Sequence, residues 1–131
     1  MTIATRTGPA PAETPETEAY WQAAREGRLL LRRCTSCDEA HHYPRSLCPF
    51  CLSETVWETA AGTGQIYSYS IMAKAEQPYA IAYVQLDEGP ILMTNIVDTP
   101  ETDIRIGARV MLEFRDSEDK DTPLPMFRVS A

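Results

Sequence analysis

From Gln65 onward the alternation of apolar and polar positions has a period of two. "QIYSYSIMAK" sets Ile66, Ser68, Ser70 and Met72 against Tyr67, Tyr69 and Ile71; "YAIAYVQL" and "PILMTNIV" are short apolar runs; "ARVMLEF" alternates again and "MFRV" closes the chain. The separators "AEQP", "DEG", "DTPETDIRIG" and "RDSEDKDTPLP" are rich in turn formers. Five short strands with no helix-length segment between them predict a small antiparallel barrel or sandwich. Upstream the period changes. In "EAYWQAAREGRLLL", Tyr20, Trp21, Ala24 and Arg25 fall at helical spacing and Gly27 supplies a stop, which predicts a helix of two to three turns over 18–28. "RLLLRRC" and "ETVWET" read as two further strands flanking residues 34–51.

The expected division is a disordered tail over 1–17, the helix over 18–28, a cysteine-bearing ribbon over 29–60 and the barrel over 61–131. The tail holds three of the ten prolines among Thr, Ala and Glu, and such a composition buries too little apolar surface to offset its chain entropy. "RDSEDKDTPLP" lacks apolar periodicity and is expected to be a mobile surface loop. No run approaches the roughly 20 apolar residues of a membrane span. The N-terminus lacks the apolar core of a secretory signal and carries acids that a transit peptide avoids, so a cytoplasmic location is expected.

Charge narrows the set of partners. The net charge is −7, and residues 62–131 hold six basic against eleven acidic groups. A barrel of that sign repels the phosphate backbone that supplies most non-specific nucleic-acid affinity, so no nucleic-acid partner is expected.

All four cysteines lie in "CTSCDEAHHYPRSLCPFC", as Cys34/Cys37 and Cys48/Cys51. In a reducing compartment such pairs hold metal or do redox work more often than they form disulfides. Two Cys-x-x-Cys knuckles supply the four ligands of a tetrahedral zinc ion, and a fully thiolate shell leaves no position for water or substrate. The expected role is structural. Iron is the rival, since rubredoxin holds one redox-active iron on similar knuckles. There a glycine usually follows each pair, whereas here Asp38 and Leu52 do, and zinc is favoured. His41 and His42 lie between the knuckles; with four cysteines completing the shell they read as surface histidines of the ribbon's loop. There is no Gly-rich phosphate loop, no G-x-S-x-G elbow and no paired-histidine helix motif, and the carboxylate pairs Asp87/Glu88 and Glu118/Asp119 fall in turns. No catalytic residue is assigned.

The order of parts resembles the family of acyl-CoA-associated proteins built from a rubredoxin-like zinc ribbon and an OB-fold. The resemblance rests on "YPRSLCPFC", the Gly-x-Gly entry into the first barrel strand, "LDEGP" and the Ile-Gly before a Val-containing strand, and covers about residues 18–131. It implies a non-catalytic accessory subunit. Members of that family accompany thiolase-fold enzymes, among them the retro-aldolases of steroid side-chain breakdown, or hydroxymethylglutaryl-CoA synthase, or are fused to hot-dog hydratases. The partner carries the catalytic residues, and a dimer of it takes one accessory chain per protomer. A local basic patch can meet an acyl-CoA despite the overall acidity, because cellular salt confines surface charges to about 10 Å or less. Arg32, Arg33, Arg45 and Lys74 are the candidates for that patch, and Tyr20 and Trp21 for a partner interface.

Overall fold

The computed structural model describes residues 2–3, 7–118 and 121–130. The fold is mainly β with one short helix, as the periodicity predicts. The elements in chain order are β1 (Thr2–Ile3), α1 (Glu18–Arg25), β2 (Leu30–Cys34), β3 (Ala40–His41), β4 (Thr55–Thr59), β5 (Thr63–Met72), β6 (Tyr79–Leu86), β7 (Ile91–Ile96), β8 (Thr99–Pro100), β9 (Arg109–Arg115) and β10 (Leu124–Val129).

Three strands form the ribbon sheet in the order β3-β2-β4, with β2 antiparallel to both neighbours. The five long strands close a barrel in the order β10-β7-β6-β5-β9. Every pairing in it is antiparallel except β10 with β7, a single parallel contact at Phe127 and Ile96, reinforced by Val97 N–H donating to the Phe127 carbonyl at 2.8 Å. A bulge between Ile66 and Ser68 bends β5, as barrel closure requires. The Gly-x-Gly entry has a steric reason. A Cβ at Gly64 would stand 2.4 Å from the Gln85 carbonyl oxygen, so only glycine lets β5 approach β6 there.

Alternation sorts the barrel side chains. Ile66, Val84, Leu86, Leu92, Ile96, Val110 and Phe127 are buried in the core. Tyr20, Trp21, Leu30 and Leu31 belong to the same cluster, so helix, ribbon and barrel share one apolar interior. Helix α1 stops at Gly27, which takes φ +81°, and its Arg25 donates to the Asp121 carbonyl at 3.0 Å, tying the helix to the β9–β10 connection.

Two segments differ from the sequence expectation. Parts of the segment expected as a disordered tail make specific contacts: Thr2–Ile3 pair antiparallel with Thr99–Pro100, Ile3 is buried, Glu118 N–H donates to the Gly8 carbonyl, and Ser46 N–H of the ribbon donates to Glu16. The segment expected as a mobile loop, 115–125, is packed at both described ends. Ser117 and Thr122 are buried there, and Asp119 and Lys120 lie outside the described residues.

Candidate metal centre and binding surfaces

The two knuckles are built alike. Cys34 N–H donates to the Glu39 carbonyl at 2.9 Å, and Cys48 N–H donates to the Ser53 carbonyl at 2.8 Å, the same five-residue closure in each. The turn N–H groups of Ser36 and Cys37 point at Cys34 Sγ, both at 3.3 Å, and Phe50 N–H points at Cys48 Sγ at 3.4 Å. Such donors stabilise thiolates. The residue after each pair takes a left-handed conformation, Asp38 at φ 63° and Leu52 at φ 65°. Glycine is usual at such positions, so the knuckle geometry is imposed here on side chains that resist it.

The four sulfurs lie within 4.8 Å of one another, with Cys34 Sγ 3.4 Å from Cys51 Sγ and Cys37 Sγ 3.7 Å from Cys48 Sγ. A disulfide needs about 2.05 Å. Four sulfurs at about 2.3 Å from one tetrahedral ion stand roughly 3.8 Å apart, which lies within the range of separations here. Without a cation Cys37 and Cys51 are driven in opposite directions. The Ser53 hydroxyl and backbone N–H, with Cys34, hold the Cys51 thiol down at about 6. Cys37, despite a lowering hydrogen bond from the Glu39 backbone, is pushed up to about 12 by desolvation and by the neighbouring cysteines. A dication at the centre removes that conflict by stabilising all four thiolates. The donor set therefore fits a structural metal, with Cys34 and Cys48 buried and Cys37 and Cys51 toward solvent.

The histidines are less exposed than expected, His41 being buried and His42 half-buried. His42 Nε2 lies 2.9 Å from the Tyr20 hydroxyl, and burial pushes its pKa down to about 4, so the neutral ring accepts from Tyr20 at neutral pH. His41 is 8% exposed and stands opposite Arg32 in the β2–β3 register. Burial holds it below its ordinary value. Only the long-range packing of α1 on the ribbon reveals this seam. The Tyr20–Trp21 pair belongs to it as well. These residues, expected at a partner interface, are 2% and 6% exposed and pack on their own chain, with ring centroids 4.7 Å apart.

The four cations expected to form one basic patch are separated in their contacts. Adjacent positions on β2 send Arg32 and Arg33 to opposite faces. Arg32 stacks on Trp57 at 3.8 Å and donates to the Thr55 carbonyl, while Arg33 donates to Glu58 and to the Asp38 carbonyl beside the first knuckle. Arg45 pairs with Glu16 at 3.6 Å and lies over the Tyr43 ring. Lys74 sits in the β5–β6 turn of the barrel.

A four-thiolate ribbon leading into a closed OB-type barrel defines a two-module protein with one metal clip. Family models match both modules: "ChsH2, rubredoxin-like zinc ribbon domain" over residues 21–56 and "ChsH2, C-terminal OB-fold domain" over residues 57–115. The chain belongs to the ChsH2 family. It is 39% identical over 127 residues to a probable enoyl-CoA hydratase alpha subunit of Thermomonospora curvata, covering 92% of this chain but 39% of that relative, so it spans about two fifths of that protein's length. It is 33% identical over 111 residues to a DUF35 domain-containing scaffold protein of Methanocaldococcus jannaschii, covering 77% of this chain and 79% of the relative. Among solved structures, a chain of the "Ltp2-ChsH2(DUF35) aldolase" superposes with TM-score 0.79 at 35% identity, covering 93% of this chain and all of that one. A DUF35-family protein from Sulfolobus solfataricus shares the fold, with TM-score 0.66 at 17% identity over 88% of this chain and 86% of that one. Among the described residues no helix is long and apolar enough to cross a membrane.

Proposed function

We propose that the chain is a zinc-holding accessory subunit, not itself catalytic, of a thiolase-fold acyl-CoA enzyme such as a thiolase or retro-aldolase. The observation that carries this reading is the sulfur cluster. Four thiolates at tetrahedral spacing saturate an ion, so the metal fastens the ribbon and offers no vacant position to a substrate. Zinc is the ion this reading assigns, because a redox-inert ion suits a fastener. Similarity to a scaffold protein and to a chain of an aldolase complex supports a role beside an enzyme. The enzyme's chemistry then comes from the partner, and this chain supports its fold and the seating of acyl-CoA. Lys74, in the β5–β6 turn, and Arg45, whose side chain is more exposed than that of Arg33 although it pairs with Glu16, are the cations this reading assigns to the phosphates of CoA, since Arg32 and Arg33 are engaged by Trp57 and Glu58.

Co-expression with each thiolase-fold enzyme of its own genome tests the proposal. The expected result is a stable complex with one zinc per accessory chain and acyl-CoA turnover that neither chain shows alone. A chain that stays alone and leaves the solubility and turnover of every such enzyme unchanged overturns it. Calorimetry with acyl-CoA on the isolated chain separates the rival, a stand-alone acyl-CoA binder: a carrier binds without its enzyme, whereas an accessory subunit gives no comparable heat.

A further inference from the structure

The 24 residues of β5, β6 and β7 contain no Asp, Glu, Lys or Arg, in a chain with 31 such residues among 131. On β6 and β7 the buried positions are Ala80, Ala82, Val84, Leu86, Leu92, Thr94 and Ile96, so the intervening residues face outward. Tyr83 and Met93 are direct cross-strand partners on that outer face, 47% and 65% exposed. Ile91 is 43% exposed beside them, and Tyr67, at the β5 bulge, is 57% exposed. At one corner Ile81 and Met93 join Pro9 and Leu124 around an apolar cavity of about 230 Å³, room for one large side chain. Aromatic residues and methionine with charge excluded is the composition of an interface centre.

Resting on the accessory-subunit reading, we propose that this outer face of β5, β6 and β7 seats the partner enzyme, and that the partner presents an uncharged apolar centre rimmed by basic groups. Size supports an interface centre. Three strands about 4.8 Å apart and roughly 20 Å long offer about 300 Å², less than half of the roughly 800 Å² per partner of a stable interface, so the rim also takes part. The connections at the two ends of these strands supply it, with Lys74 and Glu76 at one end and Asp87 and Glu88 at the other. Arg109 holds Asp87 in a two-pronged pair and Lys74 offsets Glu76 in number, so the acid in excess there is Glu88, which accepts from Ala61 N–H. A second copy of this chain brings no surplus cation to Glu88, and the phosphates of a nucleic acid or of CoA would meet no cation on the face itself. A basic-rimmed protein surface avoids both penalties. A second exposed apolar group, at the ribbon tip with Tyr43, Leu47, Phe50 and Leu52, has Asp38, Glu39 and Arg45 in the same ribbon segment and no such charge-free run.

The experiment compares the unaltered chain with Tyr83→Glu, Met93→Glu and, as a ribbon-tip control, Phe50→Glu, each co-expressed with the thiolase-fold enzyme that the unaltered chain retains. Metal content and thermal midpoint check that each variant is folded. Tyr83→Glu and Met93→Glu are expected to lower the retained enzyme at least tenfold while Phe50→Glu lowers it less than twofold. Hydroxyl-radical labelling of the unaltered complex provides a reading that needs no variant: oxidation of Met93 and Tyr83 is expected to fall at least fivefold on assembly, with Phe50 unchanged. An unaltered chain that retains no enzyme overturns the accessory-subunit reading and this assignment with it. Retention unaffected by the barrel-face variants, or lost only with Phe50→Glu, overturns this assignment alone. So does a dimer of the isolated chain that Tyr83→Glu dissolves, which gives the face to a second copy.

Discussion

The ribbon and the barrel solve the same problem, holding short strands together, by different means. The barrel closes on itself and fills its interior with Ile66, Val84, Leu86, Leu92, Ile96, Val110 and Phe127, each no more than 3% exposed. The ribbon has a three-stranded sheet whose third strand is two residues long, and its tip leaves Leu47, Phe50 and Leu52 between 54% and 73% exposed. At the end of the sheet where Cys34 stands opposite Thr55, the four sulfurs gather within 4.8 Å of one another. A small module that cannot bury enough surface needs a staple, and its stability then belongs to the metal. The same division separates two kinds of local strain. The barrel meets its close approach with a glycine at 64, whereas the ribbon holds Asp38 and Leu52 at positive φ inside knuckles closed by the Cys34–Glu39 and Cys48–Ser53 backbone hydrogen bonds.

The largest expected effect breaks the comparison on the ribbon side. Cys48→Ala removes a buried ligand and with it a contribution of about 10 kcal/mol. Amide exchange should lose protection over 30–59 while β5–β7 remain protected; equal loss in both regions would show that the metal also holds the barrel. Next, Phe127→Ala attacks the barrel alone. Deleting this fully buried ring at the parallel closure should cost about 3–5 kcal/mol by urea denaturation with one metal still bound.

A smaller effect comes from the seam between the modules. His42 titrates near 4 in the folded chain and near 6.5 when unfolded, because burial disfavours its charged form. The unfolded chain takes up the proton first as pH falls, so the folded state is favoured fully above about 6.5, loses that advantage between about 6.5 and 4, and changes no further below. The loss is at most about 3 kcal/mol, and His42→Gln should remove that part of the pH dependence. Metal content measured alongside separates it from acid release of the ion. The smallest effect is Leu52→Gly. Relieving a left-handed leucine that is 73% exposed should stabilise the ribbon by roughly 0.5–1 kcal/mol after the entropy cost of glycine.

The period-two pattern made the five barrel strands and the two long ribbon strands legible, and the paired cysteines made the metal site legible, because each signal is local in sequence. What could not be read is non-local. Ile3 joins the core only because β1 meets β8, almost a hundred residues away. The prolines around it gave the segment a disordered composition, which says nothing about a groove waiting on the barrel. His41 and His42 looked polar between two turns, yet β3 sets one opposite Arg32 and α1 brings Tyr20 over the other. Tyr20 and Trp21 carried the right chemistry for an interface, but their helix buries that face on its own ribbon. Arg32 and Arg33 were adjacent in sequence and therefore opposed in space, because a strand alternates.

The most direct test of the account is X-ray absorption at the metal edge of the purified chain, together with metal counting. One zinc per chain with four sulfur neighbours at about 2.3 Å and no lighter ligand is the predicted result. A bound water oxygen on that ion, or iron that cycles between two oxidation states, would contradict it, because the ion would then have chemistry of its own to offer.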